Sequence, residues 1–178
     1  MHSVVSLVAQ DGLYVAALLA VVAWLTVPRP EKVAMAVEMV VGLAAVAILV
    51  KVAGVVHTDP RPFVQDPSVH PWFSHPPDNG FPSDHTAVAA VTAFVVVRRR
   101  REIGLVLLAI TVLIGAARVL AHVHHVQDIV AGGAIGLLAA VLGALAWRAV
   151  RDTTFVRRVS GPTGTEESRG PTRVRHRP

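Results

Sequence analysis

The chain has 178 residues, of which 53% are hydrophobic and 16% charged, too apolar a balance for a soluble domain of this length. The absence of cysteine excludes disulfide frameworks and thiolate metal sites. The net charge of +5 is concentrated in short runs between and after apolar segments, which argues for membrane orientation and against nucleic acid. A bilayer core about 30 Å thick needs roughly 20 apolar residues in a helix. Five candidate spans meet or approach that length: Leu7 to Val27, Val33 to Val56, His85 to Val97, Gly104 to Val123 and Gln127 to Val150. The first carries Gln10 and Asp11 and lacks the basic start and cleavage pattern of a removable signal, so it is expected to remain. The third is short and is expected to extend across Asp84 and His85 into an interface or a protein-lined cavity.

Orientation follows from the basic connections. "PRPEK" (Pro28 to Lys32), "RRRRE" (Arg98 to Glu102) and the segment from Arg148 to Arg151 fall on one face of a five-span bundle, the cytoplasmic face by the positive-inside rule. The N-terminus, the long connection His57 to Ser83 and the turn Ala121 to Gln127 then lie outside. Residues 1–150 form the membrane domain. Residues 151–178 have too few apolar groups for a core and are expected to be a disordered, basic cytoplasmic tail. Gly132 and Gly136 form a GxxxG pattern suited to close helix packing.

Ionisable groups at membrane depth are expensive and usually face a cavity, so the polar clusters at the outer helix ends are expected to converge. Arg61 and Arg118 are planar, permanently charged donors for phosphate oxygens, and Ser83 adds a hydroxyl. A helix opening at Asp84 and His85 would add free backbone N–H groups. His124 and Asp128 are four apart, so on a helix they share a face, and a carboxylate on one imidazole nitrogen frees the other as nucleophile or base. His85 is the candidate proton donor to a leaving oxygen. Together these residue types suit phosphoryl transfer without a metal or other cofactor.

"RPF" (Arg61 to Phe63), "PSDH" (Pro82 to His85) and R-x5-H-x3-D (Arg118, His124, Asp128), in that order and each at a span end, resemble the type 2 phosphatidic acid phosphatase superfamily. "HTDPRPF" followed by a His- and Pro-containing loop and "FPSDHT" most resembles its bacterial undecaprenyl-diphosphatase branch. The resemblance covers Lys51 to Gly136. It implies an all-α integral membrane protein of the bacterial plasma membrane, about five transmembrane helices with the active site at the outer face, opening sideways to lipid. It further implies that His124 attacks phosphorus to form a phosphohistidine, that Asp128 orients it, that His85 protonates the departing lipid phosphate, and that Arg61, Ser83 and Arg118 hold the transferring oxygens. The implied partners are a polyprenyl or phospholipid phosphate and membrane lipid, with no nucleic acid. The implied activity is hydrolysis of undecaprenyl diphosphate in the recycling of a cell-wall lipid carrier.

Three positions depart from the superfamily pattern. The motif lysine seven residues before Arg61 is Gly54 here; Lys51, one turn earlier on the same face, either reaches the phosphate or leaves the position unfilled. Ala117 replaces a serine. Asp84 replaces a glycine, as it does in the undecaprenyl branch, and is expected beside the phosphate, holding an arginine or contacting substrate indirectly. Of the other histidines, His122 and His125 read as solvated interface residues, and His57, His70 and His75 as loop residues. Glu38 is assigned outside the site, reaching water or pairing with Lys32. Trp72 and Phe73 suit the membrane interface. Three alternatives stay open: the same fold acting on phosphatidic acid or phosphatidylglycerophosphate, a haloperoxidase using the same oxyanion site, and a histidine-rich protein handling metal ions through "HVHH".

Overall fold

The computed structural model describes residues 2–154 and is all-helical over them: α1 (His2–Thr26), α2 (Arg29–Val56), the single turn α3 (Pro62–Gln65), α4 (Asp84–Val97), α5 (Arg101–Leu120) and α6 (Val126–Val150). Most of the tail expected to be disordered lies outside the described residues. Four helices, α1, α2, α5 and α6, are long and apolar enough to cross a membrane. Their outer faces carry exposed large hydrophobics such as Leu18, Val40, Val112 and Val130, which only a lipid environment satisfies. The chain is a membrane protein.

α4 explains the short third span. Its 14 residues rise only about 21 Å, yet it is the central helix, packed against α1, α2, α5 and α6. Its small and β-branched side chains serve two cores. Ala93 and Val96 join Ala16, Ala23, Met35 and Leu107 in one. Ala87, Val91 and Val95 join Val46, Ala139 and Ala140 in the other. With protein rather than lipid on all sides, α4 need not match the bilayer thickness. The GxxxG of α6 permits this: a Cβ on Gly136 would meet Ala90 Cβ at 2.5 Å and Ala87 O at 2.6 Å, and one on Gly132 would collide with the Ser83 carbonyl. Backbones of α4 and α6 therefore meet directly.

α5 ends at Leu120, three residues before the expected boundary, for a local reason. The N–H of Val123 bonds Arg118 O (3.1 Å) and that of His122 bonds Val119 O (3.0 Å), the paired bonds of a Schellman motif. His122 takes the left-handed conformation at φ 60°, a position that favours glycine. The chain turns there and brings Val123 and His124 back over the bundle end.

At the opposite end, the buried Glu38 receives both Arg99 guanidinium nitrogens (2.8 and 2.9 Å) and lies 3.2 Å from Arg98. This corrects the expected pairing with Lys32, which instead lies over the Trp24 ring. Part of the "RRRR" run thus ties the start of the α4–α5 connection to α2.

Candidate active site

The site forms where α2 ends, α4 begins, α5 ends and α6 begins. At the start of α6, His125 is the N-cap and Asp128 the third helical residue. Asp128 Oδ2 accepts the His125 backbone N–H (2.8 Å) and also lies 3.2 Å from His124 Nδ1. The expected His124 and Asp128 contact is present, but it does not arise from a shared helical face, because His124 precedes the helix. It arises because a carboxylate at the third position folds back to cap the helix and reaches the residue before the cap.

His124 Nε2 lies 3.4 Å from Arg61 Nη1. A guanidinium only donates, so Nε2 presents its lone pair and the ring proton sits on Nδ1, facing Asp128. The two neighbours set the same tautomer. Burial lowers the His124 pKa below its ordinary value; the Asp128 hydrogen bond opposes this, and the charges of Arg118 and Arg61 reinforce it. The ring is thus held neutral, with a buried nucleophilic nitrogen.

Arg61 is itself fixed: Nη1 donates to Val123 O (2.7 Å) and Nε pairs with Asp78 (2.8 Å). Arg118, on the last turn of α5, is buried. Its Nη1 donates to Ala9 O of α1 (3.0 Å), its Nη2 to His75 Nε2 (3.1 Å), and its Nε has no hydrogen-bond partner among the described residues. An Ala9 carbonyl of α1 thus anchors this arginine.

His85 lies on the first turn of α4. Asp84 Oδ1 accepts its backbone N–H (2.7 Å) and its Nδ1–H (2.9 Å), leaving Nε2 to exchange protons. Asp84 therefore holds His85, where an arginine or substrate contact had been expected. Ser83 is buried, and its hydroxyl caps α4 through Thr86 N (3.4 Å) and Thr86 Oγ1 (3.1 Å), while its N–H donates to Asp128 O (3.1 Å). Its placement ties α4 to α6. Lys51 is exposed on α2. At the motif position Gly54 a Cβ would lie 3.2 Å from the Phe81 carbonyl, a tight contact that a shift of a few tenths of an ångström would relieve.

Two histidines read as solvated take defined places. His122 makes the turn described above, and His125 Nδ1 donates to Asp59 Oδ2 (3.0 Å). Asp59, buried, also accepts from Gln127 (2.6 Å) and Gln65 (3.1 Å), and its N–H donates to Asn79 Oδ1 (2.9 Å). This hub was missed in sequence, where only the proximity of Asp59 to Arg61 pointed to it. Asp59, His125 and Asp128 offer ligand atoms within 4.8 Å of one another, the described grouping that could hold a metal ion. It contains one histidine of "HVHH", and that histidine already binds Asp59.

The helix ends present a buried histidine with a carboxylate behind it, a second Asp-held histidine and two buried arginines. A model of the PAP2 superfamily matches residues 35–152. The bacitracin transport permease protein BcrC of Bacillus licheniformis is 31% identical over 141 residues, covering 79% of this chain and 69% of that protein. The undecaprenyl-diphosphatase BcrC of Bacillus subtilis is 32% identical over 83 residues, 47% of this chain and 42% of the relative. The crystal structure of Aquifex aeolicus LpxE has the same fold, with a TM-score of 0.65 at 23% identity over 80% of this chain and 84% of that one. With the family model spanning more than half its length, the chain belongs to the PAP2 superfamily.

Proposed function

We propose that the chain removes the terminal phosphate of a polyprenyl diphosphate such as undecaprenyl diphosphate, through a phosphohistidine on His124. The observation that carries the chemistry is the His124 ring, held between Asp128 and Arg61 with the Nε2 lone pair facing the Arg61 guanidinium. The choice of diphosphate is supported by the relatives, one of which bears the name undecaprenyl-diphosphatase.

Nε2 attacks the terminal phosphorus while its oxygens rest on Arg61 and Arg118. The bond to the bridging oxygen breaks, and His85 gives that oxygen a proton, so the lipid monophosphate departs. Charge gathering on the equatorial oxygens meets two fixed, buried cations, which act most strongly away from bulk solvent. Positive charge on the phosphorylated imidazole meets Asp128. Water, deprotonated by His85, then attacks phosphorus and releases inorganic phosphate, restoring both histidines. By the positive-inside rule the site lies outside the plasma membrane, with the Glu38 and Arg99 end in the cytoplasm.

The test is phosphate release from undecaprenyl diphosphate, phosphatidic acid and phosphatidylglycerophosphate by purified wild type and His124→Ala, with chelator present. Turnover that resists chelator, requires His124 and favours the diphosphate supports the reading. A preference for either glycerolipid would keep the chemistry and reject the substrate. Turnover abolished by chelator would reject the mechanism in favour of metal chemistry.

A further inference from the structure

The loop between α3 and α4 has no part in the steps above, yet it places a histidine on the phosphate-binding apparatus. Trp72 pins one end: its N–H donates to Ala121 O (3.2 Å), and its ring stacks on His2 (centroids 3.9 Å apart) and meets His122 edge-on. Asn79 pins the other, donating to the carbonyls of Gly54 (3.0 Å) and His57 (3.1 Å) at the end of α2. Between these anchors, His75 Nε2 lies 3.1 Å from Arg118 Nη2, and its ring centroid is 6.5 Å from that of His124. Since Arg118 only donates, His75 Nε2 is a bare acceptor, and its proton sits on Nδ1, facing Pro76 O at 3.2 Å.

That acceptor covers half of a seat. With Nη1 committed to Ala9, the remaining edge of Arg118 is Nε and Nη2, the fork that a phosphate takes with two oxygens. Nε is buried and unpartnered among the described residues, and Nη2 carries His75. A phosphate entering this fork meets His75 at Nη2.

We propose that His75 is a further phosphate-binding residue: it caps the empty Arg118 fork as a neutral acceptor, then takes a proton from solvent and donates to the phosphate that displaces it. This rests on the reading of Arg118 as the seat of the transferred phosphate. The groups facing His75 are Arg118, Arg61, Asp78 and His124. In the empty site, burial and then the two arginine charges hold its pKa below the ordinary value, against Asp78 and the Pro76 hydrogen bond. A phosphate dianion offsets the arginine charges and so raises the His75 pKa toward the imidazolium. Binding then brings a proton with it.

The test uses inorganic phosphate and orthovanadate as competitive inhibitors of the purified full-length chain, with His75→Ala, His75→Gln and Arg118→Ala. A charged hydrogen bond predicts inhibition constants and KM raised about 10- to 100-fold in His75→Ala, with kcat changed less than about threefold. His75→Gln, which keeps a donor of similar reach, should recover part of the loss and covers the case in which the alanine variant does not fold. Wild-type inhibition should also weaken with rising pH more steeply than that of either His75 variant. An unchanged or tighter inhibition constant in His75→Ala would overturn the inference, since removing a mere placeholder frees Arg118. Arg118→Ala separates the two ideas: if it too leaves inhibition unchanged, the seat itself is misassigned.

Discussion

Asp128→Asn tests the site at its most exposed assumption, that the carboxylate acts on charge developing at His124. Both hydrogen bonds to Asp128 end on Oδ2, whereas Oδ1 is buried without a partner among the described residues. An asparagine can place its carbonyl where Oδ2 stands, keeping the His125 cap and the His124 tautomer. The amide nitrogen then takes the Oδ1 place, a buried unpaired donor costing about 1–3 kcal/mol of stability. The geometry survives and the charge does not. Unit charges 3.2 Å apart interact by about 5 kcal/mol at an effective dielectric constant of about 20. With positive charge roughly half developed on the ring in the transition state, the variant loses about 2.5 kcal/mol. That corresponds to a fall in kcat of about 10²-fold, with KM within about threefold because the phosphate still meets both arginines. The assay is steady-state phosphate release from a polyprenyl diphosphate in detergent, with a thermal melt to confirm folding. A kcat within threefold of wild type, or a loss confined to KM, would refute the electrostatic role.

The acid limb of kcat/KM should have its midpoint below about 6.5, the ordinary histidine value, because burial and the nearby arginines keep His124 neutral. The same shift links to stability. The unfolded chain binds a proton that the folded site refuses, so stability rises with pH from the lowered His124 pKa up to about 6.5, as denaturant melts across that window should show. Glu38→Ala leaves Arg99 without its buried partner and should cost about 3–5 kcal/mol, seen as a lower melting temperature with turnover per folded molecule unchanged. His122→Gly should lie within about 1 kcal/mol of wild type, since glycine relieves the φ of 60° but loses side-chain contacts and gains unfolded-state freedom. His122→Val should cost about 2 kcal/mol and lower kcat by displacing His124. Lys51→Ala should change turnover by less than about twofold, because the side chain is exposed on α2.

Membrane residence, the long apolar helices and the polar residues at their ends were legible in the sequence, because each is written in short-range terms. A hydrocarbon core requires long apolar helices, and an arginine, histidine or aspartate at a span end is conspicuous wherever the chain folds. The convergence of Arg61, Arg118, His124 and Asp128 followed from the rule that polar groups at membrane depth seek one another. What needed the tertiary structure was every relation set by backbone direction at the helix ends. A left-handed His122 ends α5 early, so the His124 and Asp128 contact is made by capping and not along a helix face. The Phe81 carbonyl passes close to Gly54, 3.2 Å from where a Cβ would stand. Asp59, His75, Asp78 and Asn79 lie in a connection without periodicity, and their partners are about 20 to 70 residues away. Periodicity and composition report which face of an element is buried; only the packed chain decides which loop atom a buried arginine meets, since that contact is the sum of several turns and no single one of them encodes it.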